Sequence, residues 1–433
     1  MSELATQLAA ALPQDSGPGP EWVKALRNTG AEQFRAHGLP TRKDEAWKYT
    51  GLGLLDQREV QLALVTETPA SDSLHPAPLV EAGFQVNILD GRVLGSSGEL
   101  PTGLTILPLA DALDNEVSGL QALLESLPDR KPKDGSTYGF TALNTAMLDS
   151  GLFIHVAAGA DVGRSLINWS TLAGDVTRLF NTRICIIIER DAKLELLEQF
   201  QSPQGNANTC NIVTQADLAA GAVLQHIRFQ AESEDAVLIT RTVVSQQADS
   251  EYTHYGFDLG GGLVRHDLHT SLHGRGAKTG INGAYLLDGN RHVDNHTRVD
   301  HIAPGGISDQ YYRGVAGGSG RAVFNTAVFV HPGADETEAT QSNANILLSA
   351  RAEVDTKPEL EVYADEVIAS HGATVGQLDE QAVFYMRSRG LSEKDARQLL
   401  TTAFCRSVSD KLADPVLGEV ISQRMMDVMP HAE

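Results

Sequence analysis

Thr356-Lys-Pro-Glu-Leu-Glu-Val-Tyr-Ala-Asp-Glu-Val-Ile-Ala-Ser-His-Gly-Ala-Thr374 combines a strand period with a lone histidine at its end. Across residues 358–362, Leu360 and Val362 alternate with Glu359 and Glu361, as on a strand with one buried face. Val367-Ile368 opens a second short apolar run. His371 falls where that run stops, and Gly372 leaves the backbone free to turn. The stretch predicts two short strands and then a turn carrying one imidazole, a metal-handling position on a β scaffold.

Working upstream, a small or charged residue followed by Ala recurs before short strand patterns. It appears at Gly159-Ala160, Asp191-Ala192, Gly221-Ala222, Gly276-Ala277, Gly333-Ala334, Arg351-Ala352 and Gly372-Ala373. The first intervals are 32 and 30 residues, the next 55 and 57, the last 18 and 21. Intervals near one length or its double indicate stacked rungs of a parallel β-solenoid with uneven loops. Short strands between Gly turns, with 40 glycines in the chain, agree with this. A β-sandwich would also accommodate turns every dozen residues.

The flanks read differently. A helix opens at Pro20, carries Trp22, Val23, Leu26 and Phe34, and stops at His37-Gly38. Residues 84–89 read as a strand leading into an Asp90-Gly91 turn, and residues 131–136 as a polar boundary loop. After residue 376 the period becomes helical. Ser392 with Asp395 starts a helix striped with Ala396, Leu399, Leu400, Ala403, Phe404 and Val408. Asp414-Pro415 starts a last helix carrying Leu417, Val420, Ile421, Met425 and Val428. The expected organisation is an N-terminal helical region (1–60), a mixed connecting region (61–150), a β-solenoid core (151–375) and a C-terminal helical region (376–433).

With 56 acidic and 34 basic residues, the formal net charge of −22 argues against nucleic-acid or anionic-membrane partners. The first thirty residues lack a basic stretch followed by an apolar one, and no apolar run is long enough to span a bilayer, so a cytoplasmic protein is expected. Cys185, Cys210 and Cys405 are too few and too far apart for a disulfide framework or for four local thiolates holding a cluster. Cys185 sits in the apolar run at residues 184–188 and Cys405 in a helical stripe; both read as buried structural residues.

His292-Val-Asp-Asn-His-Thr-Arg-Val-Asp-His301 is the densest polar cluster. On a strand, His292, Asp294, His296, Arg298 and Asp300 share one side. His292, Asp294 and His296 could ligate a divalent metal, although Arg298 in the same row opposes a cation; the alternative is an outward polar face bonded to neighbouring rungs. His266, His269 and His273 have helical spacing in text that reads as strand. A single imidazole at His371 cannot make a metal site, so a role there requires ligands from another chain. No phosphate-binding G-x-x-x-x-G-K-[ST] loop, dinucleotide-binding context or G-x-S-x-G nucleophile is present.

Several separated words resemble the SufB/SufD family of iron–sulfur cluster assembly proteins, in family order and nearly end to end. They are Arg42-Lys-Asp-Glu-Ala-Trp-Lys-Tyr-Thr50, Phe140-Thr-Ala-Leu-Asn-Thr145, Phe153-Ile-His155, His292-Val-Asp-Asn-His-Thr297, Arg321-Ala-Val-Phe-Asn325, Ser370-His-Gly-Ala-Thr374 and Phe384-Tyr-Met-Arg-Ser-Arg-Gly390. Ser-His-Gly-Ala-Thr in place of a cysteine-bearing Cys-Ser-His-Glu-Ala-Thr favours the SufD branch. The resemblance implies a mainly β fold, a right-handed parallel β-helix flanked by N-terminal and C-terminal α-helical regions. It also implies a noncatalytic scaffold that pairs with the SufB paralogue through the β-helix and docks the SufC ATPase through its C-terminal region; in isolation such a chain can homodimerise. His371 matches a proposed ligand for iron or a nascent iron–sulfur cluster shared with a SufB cysteine, with no cofactor held by this chain alone. Such an imidazole fails as a ligand once protonated in acid. Two departures, Ala369 where some SufD sequences carry Cys and Pro304-Gly-Gly-Ile-Ser308 for a Pro-His-Cys-x-Ser word, argue against sulfur relay through this subunit. The competing expectations are a β-helix enzyme on acidic polysaccharide, using acids and histidines of residues 258–301, and a stand-alone metal-binding protein. With aromatics at 6% the sugar-binding groove of the first looks poorly supplied.

Overall fold

The computed structural model describes residues 2–63, 77–127, 138–172, 174 and 176–430. The polar loop expected at residues 131–136 lies outside them. Helices α1 (Glu3–Ala11), α2 (Glu21–His37) and α3 (Gly53–Asp56) precede a short strand β1 (Val60–Leu62). Strands β2 (Phe84–Leu89), β3 (Arg92–Gly98) and β4 (Leu104–Pro108) are followed by α4 (Leu109–Asp114), α5 (Leu120–Glu125) and α6 (Gly139–Ala146).

Sixteen consecutive strands then follow. They are β5 (Gly151–Val156), β6 (Asp161–Ser170), β7 (Thr177–Ile188), β8 (Lys193–Gln201), β9 (Thr209–Leu218), β10 (Val223–Ala231), β11 (Val237–Gln246) and β12 (Glu251–Asp258). The run continues with β13 (Leu263–Leu272), β14 (Lys278–Leu287), β15 (His292–His301), β16 (Ile307–Ala316), β17 (Arg321–Val330), β18 (Glu338–Leu347), β19 (Glu353–Val362) and β20 (Ile368–Gly376). Helices α7 (Glu380–Ser388), α8 (Glu393–Ser409) and α9 (Pro415–Asp427) close the chain.

Odd-numbered strands from β5 to β19 stack in one sheet and even-numbered strands from β6 to β20 in the other, each parallel to the next. This is the expected parallel β-solenoid with helices at both ends. Register partners one rung apart differ by 26 residues at the least (Val237 with Leu263) and 32 at the most (Arg321 with Glu353).

The repeat in the sequence is the corner between each odd strand and the next even one. Gly159, Asp191, Gly221, Asp249, Gly276, Gly305, Glu336 and Glu366 form a column of left-handed residues, with φ between 54° and 72°. Asp191 donates its amide to Ala220 O at 3.1 Å and Gly221 to Ala248 O at 2.9 Å, so each corner is tied to the next. Ala192, Ala222 and Ala277 follow the left-handed residue and are wholly buried, which is why a small side chain recurs there. The doubled intervals arise because two corners are spelled Asp249-Ser250 and Gly305-Gly306. Gly333-Ala334 belongs to the corner whose left-handed residue is Glu336, and Arg351-Ala352 precedes an odd strand. Gly372-Ala373 is no corner: it lies inside β20.

Alternation along each strand fills the lumen with one apolar cluster, from Val86 and Ile88 through Leu196, Leu224 and Val264 to Phe324 and Val330. The outer face of the odd sheet is covered near the N-terminus by Trp47, Phe140 and Leu143 packing on Leu179, Val237 and Leu263. The outer face of the even sheet is covered by α8 and α9, whose Cys405, Val408, Leu417 and Ile421 meet Phe229, Phe257 and Val315. Both helices carry the expected caps: Ser392 accepts from Asp395 N, and Asp414 from Val416 and Leu417 N. Asp414 also receives Arg164 at 2.6 Å, pinning α9 to β6. Cys185, Cys210 and Cys405 are buried as free thiols. Among the described residues no helix is long and apolar enough to cross a membrane.

Candidate functional site at the open end of the solenoid

The two ends of the solenoid differ. At the start, β4 runs antiparallel to β5, and the β2–β3 hairpin adds an antiparallel edge beside β6, so the first rung is covered. At the far end β19 and β20 are the last strands of their sheets. Among the described residues each leaves one row of backbone N–H and C=O groups without a strand partner, the condition under which a sheet recruits another chain. Repeat folds normally finish on a polar cap, and here the last rung exposes several large apolar groups among its polar ones. Val362 is 41% exposed, Tyr363 62%, Ile368 72% and Val375 43%.

His371 sits on this rung, in the middle of β20, and pairs in register with Gln341. The expectation that Gly372 turns the chain is therefore wrong: β20 continues to Gly376. The apolar run ends early because β20 has no further rung above it, so its inward positions meet solvent and need no hydrophobic side chain. Register places His371 on a lumen-facing ladder: His226, His254, Ile281, Gln310, Gln341, His371. The lower members are buried, whereas His371 is exposed only because the stack stops. The imidazole is thus fixed by the strand at the mouth of the lumen, beside two open edges.

The residues of the His292 cluster are engaged differently. They alternate on β15 as expected, with His292, Asp294, His296, Arg298 and Asp300 on the outer face. Arg265 of β13 reaches Asp294 Oδ2 at 2.5 Å and Asp267 Oδ1 at 2.8 Å, donates to Ala46 O at 2.7 Å, and covers the Trp47 ring at 4.1 Å. Thr50 donates to Asp294 and lies 3.0 Å from His292 Nε2; His296 Nε2 is 2.9 Å from Asp294 Oδ1. Burial would raise the Asp294 carboxyl, but the Arg265 guanidinium and His296 outweigh it and hold it far below the usual range. Asp300 is held down in the same way, against burial, by His269 at 2.7 Å, Arg298 at 2.6 Å and His331 at 2.7 Å. His266 turns inward, and His269 outward, as strand spacing requires. Among the described residues no group of three His, Cys, Asp or Glu is arranged to hold a metal ion. The cluster is a latch that fastens residues 46–50 to the solenoid through contacts between segments far apart in the sequence.

Sequence reading missed the polar interior. Glu198 accepts from Trp169 Nε1 at 3.0 Å and lies 2.6 Å from His226 Nε2, while Arg228 and Asp258 pair at 2.9 Å, all four side chains nearly inaccessible. The bulky lumen tyrosines beside them fit because of glycines: a Cβ on Gly283 would lie only 2.2 Å from the Tyr312 ring, and one on Gly314 only 2.1 Å from the Tyr285 ring. Strand glycines with no turn around them were the available signal.

Comparison with known proteins agrees with this architecture. The SUF system FeS cluster assembly SufBD core domain model matches residues 171–404. Escherichia coli iron–sulfur cluster assembly protein SufD is 29% identical over 97% of this chain and 99% of its own. A SufBD family protein of Synechocystis is 28% identical over 89% of this chain and 86% of its own. Bacillus subtilis SufB is 23% identical over 63% of this chain and 59% of its own. With the core match running from the β7 rung into α8 and the SufD similarity spanning both helical ends, this chain belongs to the SufB/SufD family of SUF iron–sulfur cluster assembly proteins.

Proposed function

We propose that this chain is a noncatalytic scaffold subunit of a SUF complex, working at the interface between its own solenoid end and that of a SufB-type paralogue. The observation that carries this reading is the position of His371, a solvent-facing imidazole on the last rung of an uncapped solenoid. A paralogue laid against β19 and β20 completes both sheets, covers Ile368 and Val375, and brings its own side chains to His371. Iron or a nascent cluster is the cargo. One imidazole supplies one bond, so the remaining ligands come from the partner, with thiolate the natural complement for iron and sulfide.

The second docking surface is the C-terminal helical region. Phe384 and Tyr385 of α7, Leu399 of α8 and Val416 of α9 are 72%, 53%, 47% and 66% exposed, while the opposite faces of α8 and α9 pack on the even sheet. This outward apolar face suits the SufC ATPase, whose nucleotide chemistry this chain does not itself provide. The test is His371→Ala in the purified complex. Complex formation should persist while cluster assembly falls at least tenfold; undiminished assembly overturns the ligand role.

A further inference from the structure

We propose that Gln341 is the positioning residue for His371: its side-chain oxygen accepts the Nδ1–H of the imidazole and so presents Nε2 to the cargo. The inference deepens the reading of His371 as a ligand and rests on it. Its basis is the hydrogen-bond direction along the lumen. Gln310 Oε1 accepts from Thr297 Oγ1 at 2.5 Å and from Thr326 Oγ1 at 2.7 Å. Thr326 has then spent its single proton, so its oxygen receives Gln341 Nε2 at 3.1 Å. The same amide group reaches the Glu359 carbonyl at 3.4 Å. A carbonyl only accepts, so a turned-over Gln341 would set oxygen against oxygen there, and the amide orientation is fixed by its surroundings.

That orientation leaves Gln341 Oε1 buried with no partner among the described residues, in a residue only 3% exposed. An orphaned buried acceptor costs roughly 1–3 kcal/mol, so a fold that retains one normally supplies a donor in its working state. The next residue on the ladder is His371, one strand away in direct register. Neighbouring strands are about 4.8 Å apart, so register partners on one face lie within reach of each other. An imidazole that donates Nδ1–H toward the rung below has its Nε2 lone pair directed away from it, out of the open end. Histidines that bind metals characteristically donate their second ring N–H in this way, which fixes the tautomer and the ring plane. Among the described residues two other buried polar atoms near this end lack a partner, Gln310 Nε2 on the register partner of Gln341 one rung below and Thr356 Oγ1, and they are the competing explanations; a proton from Gln310 would leave the His371 tautomer indifferent to Gln341.

The test uses the full chain with ring-labelled [15N]histidine at pH 8.5, with the His371 signals identified by their loss in His371→Gln. The wild type should show the Nδ1–H tautomer in excess. Gln341→Met should reverse that preference, and Thr356→Val should leave it unchanged. If Gln341→Met does not fold, Thr326→Val serves, because it removes one of the two contacts that hold the Gln341 amide orientation and should weaken the same preference. In the assembled complex, Co2+ affinity should fall roughly 10–100-fold with Gln341→Met. An unchanged tautomer ratio in Gln341→Met, or a change produced by Thr356→Val instead, overturns the inference. A tautomer that responds to Gln341 while His371→Ala leaves cluster assembly intact overturns the ligand reading and keeps the hydrogen bond.

Discussion

Arg265 on β13 and Asp294 on β15 are register partners on the outer face, and their side chains meet at 2.5 Å with the guanidinium wholly buried and the carboxylate 1% exposed. Trp47 and Thr50, more than two hundred residues earlier in the chain, are tied to this pair, the ring under the guanidinium and the hydroxyl donating to the carboxylate. Asp294→Asn removes the charge that compensates Arg265, leaving only Asp267, which is 18% exposed. Breaking a buried pair by removing one partner costs about 3–5 kcal/mol. The expected result is a lower urea midpoint together with new proteolytic cleavage near residues 42–50. Unchanged resistance in that segment would sink the latch.

Stability should fall as pH drops from 7 to 5. Burial lowers the His254 and His266 imidazoles well below their usual value, lowers His269 and His292 as well, and takes His301 to about 4. Unfolded histidines titrate near 6.5, so below that value the unfolded chain binds protons that the folded chain refuses. The protons bound on unfolding make stability rise with pH across this window. Asp294 and Asp300 add a second loss only below about pH 4, where the unfolded carboxylates protonate. Guanidinium midpoints measured between pH 5 and 7 check the sign, and a flat or falling profile contradicts it.

Glu232 acts in the opposite direction. Burial pushes its carboxyl up to about 7, only partly offset by Gln230. Between about 4.5 and 7 the folded chain holds a proton that the unfolded chain has released, so this group alone makes stability decline as pH rises. Burial raises Asp90, Asp217 and Asp355 in the same direction, but those carboxyls start from a much lower ordinary value than the five histidines, which take up protons on unfolding across this window, so the net profile keeps the histidine sign. Glu232→Gln should be more stable than wild type at pH 8, with the gap closing toward pH 5. A constant difference at every pH would mean that Glu232 is not buried and protonated as its surroundings require.

The solenoid was legible because its corner is a local requirement: a left-handed residue, then a small buried one, as at Asp191-Ala192 and Gly221-Ala222. Where another pair met the same requirement, as at Asp249-Ser250, the repeat disappeared from view although the corner did not. The caps of α8 and α9 were legible for the same reason, since Ser392 and Asp414 act within three residues of themselves. Long-range relations were not. His371 read as a turn residue because the stretch around it carries no sign that β20 is the last rung. His226, Arg228 and Glu198 passed as ordinary strand residues, since only the fold brings them together in the lumen. The outward row of β15 was read correctly as a row, but its partners, Trp47 and Thr50, come from a distant segment that periodicity cannot connect to it.

The open end itself gives the sharpest separation of surfaces. Ile368 and Val375 lie on the edge strand β20, 72% and 43% exposed, one outside and one inside the lumen line. Replacing both with Lys places charge on a strand edge, the device by which natural sheets resist pairing with another chain. Because neither side chain is buried in the free protein, the double variant should unfold within about 0.5 kcal/mol of wild type per site. Association through the solenoid end should nevertheless be lost, whether with the SufB-type paralogue in co-purification or with a second copy by light scattering. Phe384→Asp provides the reciprocal case, since it alters only the C-terminal face and should release the ATPase while the paralogue stays bound. If the lysine variant still pairs as tightly as wild type, the last rung is not the joining surface, and His371 has no partner chain to complete its site.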